Sequence, residues 1–491
     1  PSCVGTDVDL INGITTTVEP YTTDITISER LGASSDILSG TKTETKDFGG
    51  DLGTVTTTIT WHLVRSSIDI DEPCTACGSV IGIENQSLGQ AIAITGTPFT
   101  LHYRSGRMPG DGGSMDIGAW TFNAHHTLMG QRLEFGDGQH RTFGNNSDAL
   151  KPQVNEIPGI VPAGGWLVAA EDGAEVYAFD RSGQHQRTLD ALTGTLIYEF
   201  RYNTKKQLVS IVDTYGRATT IERNERGFPV CVVGAFGQRT DLVLDNQQTL
   251  VSIINAAGEK NSFTYSATGL LTGMIDPRGF THTYVYDAAG RLLKDSDPAG
   301  GFTSLSRTST TNGHKVATST ALKRVTSYGI INEGSGIRKR IVSFPDGTST
   351  NETKWPGGRT EVKYADGTIE SLQEQPDPLW SGQAPVPGLL TMKLPSGAVA
   401  TENVSRKVLL SEPDNPLSLT SAKEMIMVNG LASASDYQAS DRTATLTSPM
   451  GRKFSATVDE KGNLAELGIG GLAPQTLSYD PQGRLLSTEQ G

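Results

Sequence analysis

Five glycines of this chain fall at Gly216, Gly237, Gly258, Gly279 and Gly300, each 21 residues after the last (237−216, 258−237, 279−258, 300−279). Other residue types keep the step: Tyr265 and Tyr286; Leu250, Leu271 and Leu292; Asp276-Pro277 and then Asp297-Pro298. A fixed interval of this size marks stacked supersecondary units, each contacting mainly its neighbours, and it limits the possible folds sharply. Within one unit Phe280, His282, Tyr284 and Tyr286 alternate with Thr281, Thr283 and Val285, which is the period of a strand. Asp287-Ala288-Ala289-Gly290 supplies a turn, because Asp bonds back to the backbone and Gly accepts positive φ. Arg291 to Lys294 is a second extended run, and Asp297-Pro298-Ala299-Gly300 is the next turn. Two strands and two turns bring the chain back ready to repeat. A lone hairpin cannot bury its apolar face, so stacking has to stabilise it.

Tyr286-Asp287-Ala288-Ala289-Gly290-Arg291-Leu292 and Tyr479-Asp480-Pro481-Gln482-Gly483-Arg484-Leu485 resemble the YD repeat, Y-D-x-x-G-R-L. That repeat belongs to bacterial Rhs proteins, the cocoon-forming subunits of Tc toxins, and animal teneurins. The structural repeat positions are then Gly216, Gly237, Gly258, Gly279, Gly300, Tyr265, Tyr286, Asp287, Gly290, Arg291, Tyr479, Asp480, Gly483 and Arg484. The resemblance implies an all-β chain: a spiralling antiparallel sheet of hairpins forming a hollow shell, its closure left open, preceded by small β-sandwich and plug domains.

The chain divides accordingly. Residues 1–79 are Thr-rich and alternating, as in Thr54 to Val64, and suit a small β-sandwich. Asp69, Asp71 and Glu72 would share a strand face; a solvated acidic edge explains them more simply than a calcium site. Residues 80–150 resemble the plug that enters the open end of such shells. His102, His125 and His126 tempt a metal assignment, but neighbours on a strand point to opposite faces, so His125 and His126 are not expected to converge. Residues 151–170, rich in Pro and Gly, read as a linker where family members carry a propeller, and 171–491 as the shell. Past residue 302 the repeats are worn, although Gly430 and Gly451, and Gly462 and Gly483, keep the interval. Pro376 to Pro387 reads as a crossing loop. Pro1 in place of an initiator Met, and a stop just after a good repeat, suggest a piece of a longer protein.

Glycine, 56 of 491 residues, exceeds the usual share and suits a turn-dense β protein. The net charge of −13, with no basic cluster, disfavours a nucleic-acid partner. No apolar run approaches the roughly 20 residues of a membrane span. Cys74 and Cys77 form a lone C-x-x-C; a local disulfide or two loop thiols are both open, and no second ligand pair supports zinc. There is no phosphate loop and no G-x-S-x-G elbow, and the acidic pairs sit in turns, so neither a catalytic residue nor a cofactor is expected. The resemblance brings one activity, self-cleavage by aspartates late in the shell. Asp276-Pro277-Arg278-Gly279-Phe280 mimics that motif but lies inside the array and is not taken as catalytic. Two functions follow from the resemblance: a container wall around a polypeptide, typically a toxin, or a cell-surface module that binds protein or glycan. Both imply a secreted or surface protein. A β-rich enzyme with a scattered site is the remaining alternative.

Overall fold

The computed structural model describes residues 79–106, 117–144, 150–151, 153 and 155–490, with the backbones of strands 37–47, 54–64 and 74–76. One antiparallel sheet of 29 strands runs from Trp166–Ala169 to Leu485–Gln490, and every strand pairs with the next in sequence. Tyr265 and Tyr286 lie in this sheet on Lys260–Tyr265 and Thr281–Tyr286, with only Leu271–Ile275 between them. Among the described residues the only helical piece is the 3-10 turn Gly334–Gly336.

The interval arises from two alternating five-residue turns. At one edge Asp276 N–H donates to Phe280 O, and Gly279 N–H to Asp276 O; at the other Ser266 pairs with Leu270 and Gly269 in the same way. Positive-φ residues therefore follow at Lys206, Gly216, Gly227, Gly237, Gln248, Gly258, Gly269, Gly279, Gly290 and Gly300. The spacings alternate between 10 and 11 (216−206, 227−216), which sum to 21. Between the turns, three ladders of side chains share one face: Phe200, Ile221, Leu242, Phe263, Tyr284, Leu305; Ile211, Val232, Ile253, Met274, Asp295; and Leu208, Pro229, Leu250, Leu271, Leu292. Strands lengthen after residue 300, reaching 13 residues at Ser381–Lys393.

Among the described residues three small sheets precede the large one, the first being the hairpin of Ile37–Asp47 with Thr54–Val64. Cys74–Ala76, Ser79–Gly82, Ser87–Ala93, Thr100–Arg104 and Trp120–Phe122 form a five-stranded meander, and Thr127–Met129, Arg132–Glu134 and His140–Thr142 a three-stranded one. Two boundaries differ from those expected. Cys74–Ala76 pairs with Ser79–Gly82 and so belongs to the five-stranded sheet of the segment expected to be a plug, a name kept below for that segment, and the large sheet opens at Trp166, inside the segment expected to be a linker. Of the sandwich expected over 1–79, the described residues contain the hairpin Ile37–Asp47 with Thr54–Val64; Asp69, Asp71 and Glu72 lie outside them. The segment from Pro376 to Pro387 is not a crossing loop. Ile369–Asp377 and Ser381–Lys393 pair as one hairpin with shifted register, and Pro385 and Pro387 sit by those shifts, where a missing N–H is tolerated.

The main core lies between the five-stranded sheet and the ladders. Trp120 packs 4.8 Å from Phe263, its Nε1–H donates to Tyr265 Oη at 2.9 Å, and Leu271 N–H donates to Tyr103 Oη at 2.8 Å. A second core joins the start of the sheet to the late hairpin: Leu167, Ala169, Val176 and Ala178 pack with Trp380 and Ala384. The sheet also returns on itself at its edge. Tyr215 Oη donates to Asn463 Oδ1, 248 residues away, Lys461 lies 5.0 Å over the Tyr215 ring, and Arg217 Nη1 donates to Gln482 O at 3.5 Å.

Candidate functional site

The YD residues serve the turns and the seams. Asp287 Oδ1 accepts from the N–H groups of Ala289 and Arg291, and its Oδ2 accepts from Arg291 Nε at 2.7 Å. Asp480 and Arg484 repeat this, with Nε to Oδ2 at 2.6 Å, as do Asp213 and Arg217. Desolvation is the largest single effect on the Asp287 carboxyl and would raise its pKa, but the bonds from the Arg291 N–H, its guanidinium and the Ala289 N–H together outweigh it and hold the carboxyl below its usual value. The tyrosine before the turn reaches back across the sheet: Tyr265 Oη donates to Leu250 O at 2.7 Å, and Tyr479 Oη to Leu464 O at 2.9 Å. Beside Tyr286 the plug intervenes, with Tyr103 taking the Leu271 N–H. Asp276 is occupied in the same way as Asp287, accepting from the N–H groups of Arg278 and Phe280 and pairing with the Arg278 guanidinium.

Cross-strand pairing lets one face be followed along the whole sheet, because opposed residues share a side. Beneath the plug it is apolar. Further on it turns charged. Arg340, 3% exposed, lies between Glu84 of the plug and Glu352, while Arg307 Nη1 donates to Glu84 O at 2.6 Å. Arg406 bridges Asp377 and Glu424, each at 2.6 Å. Beyond Val404 and Tyr437 the face is apolar again. Leu446, Phe454 and Ile469 stand opposite one another on three successive strands and are 48%, 39% and 38% exposed. No layer of the described residues covers them as the plug covers Phe263 and Met274.

His102 lies on the strand Thr100–Arg104, whereas His125 and His126 do not lie on one. His125 and His126 follow the strand Trp120–Phe122 rather than lying on it, so alternation does not separate them, and both are buried against His185. The His126 ring stacks on His185 at 5.2 Å, and His125 lies 6.1 Å from it. Their nitrogens have protein partners: His125 Nε2 with Tyr202 Oη at 2.8 Å, His126 Nδ1 accepting from Gly136 N–H at 3.1 Å, and His185 Nε2 with Arg187 O at 3.0 Å. Burial lowers the pKa of His126 to about 3 and that of His185 well below the ordinary value. His102 Nε2 bonds Thr100 Oγ1 at 2.6 Å. Among the described residues no group of three or more His, Cys, Asp or Glu is placed to hold a metal. Cys77 and the side chain of Cys74 lie outside the described residues; Cys231 is a buried free thiol whose pKa burial pushes up to about 11.

A family model described as teneurin YD-shell matches residues 163–491, two thirds of the chain and the whole of the large sheet. The chain belongs to the teneurin YD-shell family. Over 63 residues, 13% of the chain, it is 33% identical to teneurin-3 of Mus musculus and 32% identical to teneurin-3 of Danio rerio, covering 2% of each relative. The chain therefore spans a small part of these relatives. Among solved structures it resembles TcdB2-TccC3-Cdc42 (11% identity, TM-score 0.32, 64% of this chain and 20% of that one). It also resembles a Photorhabdus luminescens Tc holotoxin pore (12% identity, TM-score 0.32, 82% and 22%). Superpositions at this level bear on neither the shape nor the role of the YD-shell here.

Three features of the YD-shell escape the motif. Lys206 and Gln248 hold turn positions without glycine, at φ 61° and 64°, and only the interval points to them. The inward ladders were open to the same arithmetic. Glu84, which ties the plug to Arg338 and Arg340, has no periodic signal.

Proposed function

We propose that this chain is a non-enzymatic scaffold: a YD-shell wall that encloses and protects a polypeptide cargo, such as a secreted toxin. The observation that carries this reading is the uncovered row of Leu446, Phe454 and Ile469. It continues the face that the plug occupies earlier in the sheet, and it sits in the part of the wall that returns to contact Tyr215. A contiguous apolar face left open marks a surface that binds something, and extended or partly folded chains are the partners it suits. Isolation follows from sheet closure, which leaves few edges. The test is to fuse a protease-sensitive reporter polypeptide after Gly491. The reporter should survive digestion that destroys it when free, and should lose that protection when Phe454→Glu is introduced. Digestion at the free rate in the unaltered fusion overturns the reading.

A second reading, a secreted or cell-surface recognition module for protein or glycan, is favoured by the opposite face. There Leu409, Met425 and Met427 are exposed on adjoining strands. Binding of the purified chain to cells, abolished by Met425→Glu, would support it; cell binding indifferent to that change would remove it.

A further inference from the structure

The ladder Ile211, Val232, Ile253, Met274 continues 21 residues later (295−274) not with another apolar residue but with Asp295. It is 0% exposed, and neither carboxylate oxygen has a well-formed hydrogen bond, the nearby Ser79 hydroxyl giving it only weak support. Tyr284 and Thr303 flank it on the neighbouring strands. From the plug come Ser79 and Gln90; Gln90 Nε2 donates to Tyr284 Oη at 2.8 Å and to Ser79 Oγ, and Ser79 Oγ lies 3.5 Å from Tyr284 Oη. The polar change on the array, Tyr284 after Phe263 and Asp295 after Met274, thus meets a polar change on the plug. These facing groups bring no cation to the carboxyl. The charge that acts on Asp295 is that of Asp297, which repels it, while Ser79 partly compensates. Burial foremost, with that repulsion, raises its pKa from 3.8 to about 7.

We propose that Asp295 is a proton-operated latch: as the neutral acid it lets residues 79–93 seat on the sheet, and as the carboxylate it loosens that seat. The inference stands on this seam alone and is independent of what the wall encloses. The seated state binds the proton more tightly than the open state. The contribution of Asp295 to seating is therefore largest in acid and falls as pH rises from about 4 toward 7, with the loss complete near pH 8.

Hydrogen–deuterium exchange on the whole chain tests it, with residues 240–260 as the internal reference. After correction for intrinsic exchange, protection of 79–93 should fall about tenfold between roughly pH 6 and pH 8 in the unaltered protein. It should stay constant in Asp295→Asn. Equal pH dependence in both proteins, or none in the unaltered one, overturns the proposal. Should Asp295→Asn not fold, infrared titration of the unaltered protein decides: a neutral carboxylic carbonyl band present near pH 6 and gone by about pH 8 supports the latch, and its absence near pH 6 rejects it.

Discussion

Gly258 and Gly279 take φ of 80° and 85° at turns where an added Cβ would meet nothing within 4 Å. The cost of a side chain there is purely that of the backbone. We expect Gly279→Val to lower unfolding free energy by about 2 kcal/mol or more and Gly279→Asn by roughly 1, since Asn tolerates the left-handed region and β-branched residues do not. Equal denaturation midpoints for the two variants would refute the turn assignment. Inside the wall, Phe263→Ala should cost about 3–5 kcal/mol, because it empties the seat of Trp120. A loss below about 1 kcal/mol would mean that the plug does not pack there. The turn residues were legible because Asp, Gly and Arg carry their chemistry in their identity. Lys206 and Gln248 were not, because nothing in a Lys or Gln side chain announces positive φ.

At the scale of the hairpin, Tyr265 and Tyr479, each just before a turn, tie their strands to the ones before. Tyr265 does this while also receiving the Trp120 indole N–H, so it joins three strands in two sheets. Tyr265→Phe should destabilise by about 1–3 kcal/mol, because it strands a buried donor, whereas Tyr479→Phe at the exposed end should cost no more than about 1. A double-denaturation comparison that ranked them the other way would contradict the assignment. Strand and turn were readable over 216–300, where the interval holds. The strand alternation used for His125 and His126 does not apply, because the chain leaves its sheet at Phe122 and both rings turn to His185. The hairpin 369–393 was misread because prolines suggested a loop where irregular pairing accommodates them.

For the molecule as a whole, acid should weaken the contact between plug and wall at the histidine seam. His126 is held neutral, with its pKa lowered to about 3, so the stabilisation present above pH 6.5 is lost as pH falls through that range, by up to about 4 kcal/mol at the lower limit. Replacing His126 with Phe should flatten the acid limb of a stability profile; an unchanged limb would exclude this seam as its source. Tyr215→Ala should enlarge the radius of gyration measured by small-angle scattering while leaving the far-ultraviolet dichroism unaltered, because it removes the edge closure and no strand. An unchanged radius would show that closure rests elsewhere. The turns that meet are copies of the same D-x-x-G motif found throughout the array, so nothing in the repeat itself singles out this pair.

The pairing of each strand with its successor also bears on how the chain is made. Nearly every hydrogen-bonded partner is available as soon as the next dozen residues leave the ribosome, so the wall can be laid down course by course during synthesis, at low entropic cost per step. The exceptions are the long-range joins, among them Glu84 with Arg338 and Arg340, the core that takes in Trp380, and the contacts of Tyr215 and Arg217 with Asn463 and Gln482. Until those late residues emerge, the two ends of the sheet cannot be joined.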